Sequence, residues 1–227
     1  MATAEAPTTP AVETEVPAVP EYVEVYDEPL HPTVLENEYI RVLKVDCPMN
    51  QDTMFHRHSQ DSFFLFFRAA QIRNEVVGKE PFDADLQAGS FYWGDHLANP
   101  IIHKVCVGKH GLNCMDVEFK SDRPGPASLS PALPNTSTRD LCFENNVVRA
   151  YRIKLSPGES IAGALNVQEG DGSKEAVFVY LAVAMQSARL SGGHVKAGDS
   201  WWCGGGAAET QSNVGDDEVE VMALQPK

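Results

Sequence analysis

The chain has 227 residues, of which 43% are hydrophobic, and a formal net charge of −14, so it is long enough to bury a substantial core and too acidic to favour nucleic acid or an anionic membrane as a partner. Its five cysteines include no Cys-x-x-Cys pair, which argues against a zinc ribbon or a disulfide framework and indicates a reducing compartment. Without an apolar stretch of about 20 residues or a signal-peptide pattern, the sequence predicts a soluble, cytoplasmic protein.

Residues 1–28 are predicted to form a disordered tail. Up to Pro20 they are mainly alanine, threonine, proline, glutamate and valine. Such a segment cannot bury enough apolar surface to offset the entropy lost on ordering it. Within this tail, residues 22–26 alternate and are a candidate edge strand.

The first domain is predicted over residues 29–122 as a series of short strands. β-Branched and aromatic residues are concentrated in short segments between turn residues, and helical periodicity is almost absent. The predicted strands are residues 39–45, 71–77, 90–93, 101–107 and 113–119, with a turn over residues 85–89. Many short strands at regular spacing predict an all-β sandwich or barrel.

A histidine pair lies between the first two of these strands. His56 and His58 flank Arg57, and alternate residues of a strand point to the same face, so the two imidazoles can bind one metal ion. Residues 63–67, Phe-Phe-Leu-Phe-Phe, follow directly. This run is short, aromatic and free of glycine and proline, which predicts a buried strand beside the histidines.

Residues 123–140 are predicted to be a linker, because proline, glycine, serine and threonine are frequent there. Residues 141–227 then repeat the first domain. The motif that begins at Glu36 recurs at Glu144, and the motif that begins at Ala88 recurs at Ala197. Two matches at nearly the same offset indicate an internal duplication.

These features resemble the two-motif arrangement of the cupins, and the duplication is similar to that of the bicupins. The resemblance covers most of the chain, from about residue 29 to residue 224. It rests on the pair His56 and His58, the turn at Ala88 and Gly89, and His103 on a later strand. It implies an all-β fold of two tandem cupin-like jelly-roll barrels, in which His56, His58 and His103 are metal ligands that face into the first barrel.

The glutamate that cupins usually supply after the second histidine is absent. Ser62 and Phe63 stand at the expected positions, and Asp61 lies one position short. The remaining three-histidine set resembles that of the thiol dioxygenases and of some zinc, copper and nickel cupins. Because neutral imidazoles suit such ions better than Mn or Mg, the expected cofactor is one divalent transition metal, with Fe(II) favoured and Zn, Ni or Cu as alternatives. Three ligands also leave coordination positions open for water or substrate.

The second barrel is predicted to hold no metal. The offsets of the two repeated motifs align the histidine pair with residues 164–167, and none of these is a histidine. His103 aligns with Ser212, or with Glu209 if the loop differs in length. The only histidine in this half is His194, which precedes a turn and has no histidine near it in sequence.

Further residues are candidates for catalysis and substrate binding. Gln60 and Ser62 share the face of the histidine pair if the strand continues unbroken, so either is a candidate to hydrogen-bond a metal-bound water. The candidate bases are Gln60, Tyr92, Asp61 and a metal-bound hydroxide. Arg68 and Arg73 are candidates to bind a substrate carboxylate, since a guanidinium group offers two parallel donors. The alternative for each arginine is a place on the outer face of the barrel.

The other histidines and one cysteine are predicted to lie outside the site. His31 and His110 are expected to face water in turns, and His96 is expected to be a polar loop residue. Cys106 has the opposite strand parity to His103 and should point to the other face.

Three functional hypotheses follow. The first is a mononuclear metal-dependent enzyme that acts on a small polar molecule, as a dioxygenase with iron or as a lyase, isomerase or hydrolase with zinc or nickel. The others are a non-catalytic binding module and an interaction protein with a vestigial metal site. The enzyme is preferred, because three histidines persist together in one half of the chain while none occupies the aligned positions of the other. A homodimer is expected, unless the two barrels of one chain satisfy the pairing internally.

Overall fold

The computed structural model describes residues 19–123, 132, 134–161, 178–182, 188–191, 193–203 and 212–227. Almost all of its regular elements are strands. In chain order they are β1 Val23–Glu24, a 3-10 helix Val25–Asp27, β2 Thr33–Glu36, β3 Ile40–Cys47, β4 His56–His58, β5 Asp61–Phe66, β6 Ala70–Val76, β7 Phe82–Leu86, β8 Phe91–Gly94, β9 Ile101–Val107, β10 Leu112–Phe119, β11 Arg139–Glu144, β12 Val148–Leu155, β13 Phe178–Ala182, β14 Ala188–Leu190, β15 Gly193–Val195, β16 Ser200–Cys203 and β17 Val219–Pro226. Within the described ranges, no helix has the length and apolar character needed to cross a membrane.

Strands β1 to β10 form two five-stranded sheets. The histidine sheet has the order β1-β4-β9-β6-β7, and the core sheet has the order β2-β3-β10-β5-β8. Successive strands such as β3, β4 and β5 alternate between the sheets, and each pairs with strands distant in sequence. This is the connectivity of an eight-stranded jelly roll, to which β1 and β2 add one edge strand each. The predicted jelly-roll barrel is confirmed for this unit.

The second unit repeats the core sheet. Its C-terminal sheet has the order β11-β12-β17-β13-β16, while β14 and β15 form a separate pair. Position by position, these strands correspond to β2, β3, β10, β5 and β8 of the core sheet. β12 follows β3 at the offset that separates Glu144 from Glu36, and β16 follows β8 at the offset that separates Ala197 from Ala88. The predicted duplication and the all-β architecture of two tandem units are therefore confirmed.

The two units pack through one apolar cluster. Ile40, Phe63 and Val117 of the core sheet lie in the same buried cluster as Ala150 and Met222 of the C-terminal sheet. The Phe-rich β5 thus has both faces covered: Phe63 contacts the second unit, whereas Phe66 packs inside the first barrel. A strand buried on both faces carries a continuous apolar run, which explains why its sequence does not alternate.

The ordered chain begins before residue 29, so the predicted boundary of the disordered tail is corrected. β1 pairs in parallel with β4, where Val23 lies opposite His56. Val25 and Glu28 are also buried, because this segment covers the edge of the histidine sheet. Residues 1–18 lie outside the described residues, and the start of β11 at Arg139 falls inside the predicted linker. The remaining domain boundaries stay predictions.

In the first unit, β2 and β7 were not predicted from the sequence. The predicted turn over residues 85–89 instead contains the end of β7, which pairs with β6 at the edge of the histidine sheet. β7 carries Asp83 and Asp85, and aspartate is depleted in strands. An edge strand tolerates such residues, since one of its sides is open to water.

The loss of ligands in the second unit stays a prediction. Residues 164–167 and Glu209 lie outside the described residues. Ser212 is described and forms an isolated bridge with Ser160. His194 is exposed on β15, where it lies opposite Arg189 of β14.

Candidate metal centre

Three histidines converge on the inner face of the histidine sheet. His56 and His58 are two residues apart on β4, and the pairing of β4 with β9 places His103 directly opposite His56. The ring centroids are 4.5 Å apart for His56 and His103, 5.0 Å for His58 and His103, and 5.1 Å for His56 and His58. One nitrogen from each ring lies within 4.8 Å of the other two. The three side chains are therefore close enough to bind one ion.

Hydrogen bonds fix the orientation of two of these rings. Nδ1 of His56 lies 2.9 Å from the carbonyl oxygen of Met54, and Nδ1 of His103 lies 2.9 Å from Oδ1 of Asn74. Because these oxygens only accept, each Nδ1 carries the hydrogen and each Nε2 keeps a free lone pair. Both Nε2 atoms are buried and have no hydrogen-bond partner among the described residues. Buried lone pairs without a partner are costly, and a bound cation would satisfy them.

Burial keeps these histidines neutral. It lowers the pKa of His56 from 6.5 to about 4, with a smaller contribution from the nearby His31 ring. Burial also lowers the pKa values of His58 and His103 well below 6.5, and the neighbouring histidines lower them further. Neutral imidazoles are the form that binds metal ions, so protons do not compete for the site near pH 7.

The metal-free protein is expected to lose stability as the pH falls from about 6.5 towards 4. The folded-state pKa values of these histidines are depressed, so between those pH values the unfolded chain binds more protons than the folded chain, and the free energy of unfolding decreases with falling pH. Thermal unfolding in chelator at several pH values should show a shallower slope for His56→Gln than for the parent.

The matched control for this pH experiment is His110→Gln, because His110 is exposed in a turn. Its slope should equal that of the parent. Comparison between variants is needed because burial raises the pKa values of Asp116 and Glu118, and such carboxylates change stability with the opposite sign in this range. An unchanged slope in His56→Gln would contradict the prediction.

Two further histidines flank the centre. The prediction that His31 faces water is wrong, and His96, which was predicted to be a polar loop residue, lies in a turn but is buried. His31 is 5% exposed, with its ring centroid 4.7 Å from that of His56. His96 is also 5% exposed, with its ring centroid 5.2 Å from that of His58. Nδ1 of His31 lies 2.5 Å from Oε2 of Glu28. Glu28 and His31 are three residues apart in sequence, and this spacing is only a weak indication that they interact. Nothing in the local sequence indicates that their segment folds back on His56.

Gly94 provides the space that His96 occupies. A Cβ atom added at Gly94 would overlap Nε2 of His96, and its other near neighbours are also atoms of that ring. Gly94→Ala is therefore expected to displace the ring towards solvent, and the pKa of His96, which burial lowers, should rise. Histidine NMR titration would measure this change. In a His96→Ala background, Gly94→Ala should leave stability nearly unchanged, and a large further loss would contradict the steric explanation.

Asp116 and Glu118 of β10 form the wall behind the histidines. Asp116 is fully buried, and its Oδ2 lies 3.4 Å from Nδ1 of His58. Glu118 is also buried and pairs with Arg41 at 3.0 Å. Neither residue was predicted from the sequence to have a function. The available signal was the alternation at the end of β10, where Met115, Val117 and Phe119 lie in the cluster shared with the second unit and the two acidic residues stand between them.

The structure does not place Gln60 beside the histidine pair. The assumption of an unbroken strand is wrong, because β4 ends at His58 in the histidine sheet and β5 begins at Asp61 in the core sheet. Gln60 lies in the crossing between the sheets, where its Oε1 accepts a hydrogen bond from the backbone N–H of Ser121 at 2.8 Å. Its strand parity with the histidines therefore carries no information.

The two arginines also point away from the centre. Arg68 is exposed and lies 3.7 Å from Asp46, and Arg73 is exposed and lies 3.4 Å from Asp83. Arg73 precedes Asn74, which contacts His103, so Arg73 lies on the opposite face of β6. The outer-face alternative fits both arginines better than the expected substrate-binding role.

Tyr92 and Cys106 complete the predicted set. Tyr92 is 57% exposed, but its ring lies 5.9 Å from that of Phe64, whose ring in turn lies 5.6 Å from that of His58. Tyr92 is therefore one contact removed from the histidines, and its catalytic role stays a prediction.

Cys106 lines an outer groove of the histidine sheet together with Arg73, which agrees with its predicted orientation away from the centre.

No protein-family model and no curated protein sequence matches the chain. Among solved structures, YhhW from Escherichia coli matches with a TM-score of 0.50 and 12% identity over 82% of this chain and 80% of that one. A cupin 2 conserved barrel domain protein from Leptotrichia buccalis matches with 0.49 and 10% identity over 86% and 88% of the two chains. Oxalate decarboxylase from Bacillus subtilis, a protein with Mn(II) centres, matches with 0.47 and 9% identity over 82% and 68%. At these identities, likeness concerns the fold alone.

Proposed function

We propose that this chain, which has the duplicated jelly-roll fold of the cupin superfamily, is a metal-dependent enzyme that acts on a small polar molecule at the three-histidine centre. The observation that supports the proposal is the pair of buried Nε2 atoms of His56 and His103 beside the His58 ring, neither of which has a hydrogen-bond partner in the part of the chain that the structure describes. Their orientation by hydrogen bonds from the opposite ring nitrogen is typical of metal-binding histidines.

The donor set favours a particular group of ions. Three neutral imidazoles suit Fe, Zn, Cu and Ni better than Mn or Mg, which prefer oxygen ligands. We favour Fe(II), with Zn, Ni and Cu as alternatives. A bound divalent ion would supply Lewis-acid polarisation of a substrate oxygen or, in the case of iron, activation of O2. The reaction would then be of the dioxygenase type with iron, or of the lyase or isomerase type with zinc or nickel.

The residues around the histidines would prepare the site for such a reaction. The ring of Phe64 against His58 limits the access of water on one side. The carboxylate of Glu28 accepts a hydrogen bond from Nδ1 of His31, which holds a proton at that nitrogen and fixes the ring beside His56. The Glu28 carboxylate also accepts the backbone N–H groups of Leu30 and Met54, so this segment is tied to the strand that carries the histidine pair.

One observation favours the alternative of a non-catalytic binding or interaction protein with a vestigial site. The two arginines that were expected to bind a substrate carboxylate are exposed and paired with aspartates. The three-histidine arrangement supports metal binding under either alternative, so metal binding alone does not distinguish an enzyme from a binding module. Activity measurements on the metal-loaded protein are required.

The experiment is elemental mass spectrometry of the full chain, purified without a metal-affinity step. Near-stoichiometric iron would lead to O2-uptake assays with small acids and thiols, and zinc or nickel would lead to lyase and isomerase assays. Turnover that is lost in His103→Ala would support the enzyme, whereas stoichiometric metal without turnover would support the binding module. A protein that takes up no transition metal even after reconstitution would overturn the proposal.

The expected partners and location follow from the same proposal. The partner in the site is a small molecule, and the charge of −14 argues against nucleic acid and anionic membranes. Cys47, Cys106, Cys114 and Cys142 are free thiols, which suits a reducing, cytoplasmic environment. Light scattering would decide between a homodimer and a monomer whose two units pair with each other.

A further inference from the structure

Asp116 carries a carboxyl group in the barrel interior, and packing of the barrel does not by itself explain why a polar group is buried there. It is 0% exposed, and neither of its oxygens has a hydrogen-bond partner among the described residues. The nearby hydroxyl of Ser62 donates to the backbone oxygen of Gln60. Burial raises the pKa of the Asp116 carboxyl, and the interaction with Ser62 lowers that pKa by less than burial raises it. An unpaired carboxylate in a protein interior is strongly unfavourable, so a compensating positive charge or donor is expected close to Asp116.

The histidine beside Asp116 is His58, for whose Nδ1 no oxygen partner is described of the kind that the other two site histidines have. Nδ1 of His56 has a carbonyl oxygen behind it and Nδ1 of His103 has an amide oxygen. Nδ1 of His58 is buried, has no hydrogen-bond partner within the described ranges, and lies 3.4 Å from Oδ2 of Asp116. A small rotation of either side chain would bring the two atoms within hydrogen-bond distance.

We propose that Asp116 is a positioning residue of the metal centre: Oδ2 of its carboxyl group accepts a hydrogen bond from Nδ1–H of His58 and so orients Nε2 of that ring towards the ion. This inference rests on the proposed metal site. The carboxylate acts from β10 of the opposite sheet and is not a direct ligand. Outer-shell carboxylates of this kind raise the basicity of the ligating histidine.

The chain supplies a matched control in Glu118. It lies two residues from Asp116 on the same face of β10, and Glu118→Gln removes one carboxylate charge, as Asp116→Asn does. Glu118, however, pairs with Arg41 at 3.0 Å and has no described contact with a histidine. An effect that depends only on charge inside the barrel would appear in both variants, whereas an effect through His58 would appear only at Asp116.

The experiment measures Zn(II) affinity of the full chain by competition with a chromophoric chelator and records the visible spectrum of the Co(II)-loaded protein. Asp116→Ala should weaken Zn(II) binding about 10–100-fold and change the Co(II) spectrum. Asp116→Asn should have a smaller effect, because the amide oxygen still accepts from Nδ1–H of His58. Glu118→Gln should bind Zn(II) as the parent does and give the parent's spectrum.

The outcomes separate this inference from the proposed function. A parent that binds neither Zn(II) nor Co(II) would overturn both. A parent that binds both ions, with Asp116→Ala and Asp116→Asn unchanged in affinity and spectrum, would overturn the role of Asp116 alone. The role of Asp116 would also be overturned if Glu118→Gln weakened Zn(II) binding as much as Asp116→Asn does. It would likewise be overturned if X-ray absorption of the Co(II) protein showed an oxygen ligand that is lost in Asp116→Ala. Asp116→Asn keeps the size of the side chain and serves if Asp116→Ala does not fold.

Discussion

Replacing His56 and His58 together with alanine is expected to reduce bound metal from near one equivalent per chain to none. The double variant removes two of the three rings that lie within ligand distance of one another, and a single remaining imidazole cannot hold an ion against water. The fold should persist, because the core clusters contain neither histidine. Elemental mass spectrometry with a circular dichroism spectrum measures both expectations.

The controls for the histidine variant are His110→Ala and His194→Ala. Both side chains are exposed, the first in a turn of the first unit and the second on β15 of the second unit. Each control should keep the parent's metal content. Retention of a full equivalent by the His56→Ala/His58→Ala protein would show that the ion binds elsewhere and would exclude this centre as the metal site.

Phe63→Ala is expected to lower the free energy of unfolding by about 3–5 kcal/mol. Phe63 is 0% exposed in the cluster between the two units. Its ring stacks on Phe91 at 5.1 Å and lies 6.0 Å from Phe143 of the second unit. Removal of the ring would leave a cavity at the contact between the two sheets. Because each sheet is held in place by its own hydrogen bonds, the surrounding residues are not expected to move in and fill this cavity.

Equilibrium unfolding in urea measures the effect of Phe63→Ala, and Phe82→Ala is the control. Phe82 is also a strand phenylalanine, but it is 48% exposed at the edge of the histidine sheet, so its replacement should change stability by about 0.5 kcal/mol or less. Equal losses for the two variants would contradict the buried contact between the units. A single transition in the parent is expected, since the cluster is shared by both units.

The predicted features that the structure confirms depend on short-range patterns. β9 lies at the predicted residues 101–107, because its β-branched residues are typical of a strand. The common orientation of His56 and His58 follows from the two-residue period of a strand. The duplication was visible because both copies preserve turn and strand motifs at nearly one offset. Each of these features can be predicted from neighbouring residues or from a comparison of one half of the sequence with the other.

The errors concern contacts between distant segments. Gln60 was placed beside the histidines on the assumption of one continuous strand, and the chain instead crosses to the other sheet after His58. His31 was predicted to face water and is buried, since a local sequence does not show that another segment will cover a turn. No role was predicted for Asp116, because acidic residues of an alternating strand ordinarily face solvent.

An all-β, duplicated protein with one histidine pair and a distant third histidine suited to a metal ion could be predicted from the amino-acid sequence, because strand periodicity and repeat spacing can be read directly from it. Three features became visible only in the folded chain: His103 lies opposite His56, Asp116 lies behind His58, and Arg73 points outwards. Strand register and the choice of which face is covered depend on pairing and packing between segments far apart in sequence, and no local pattern encodes them.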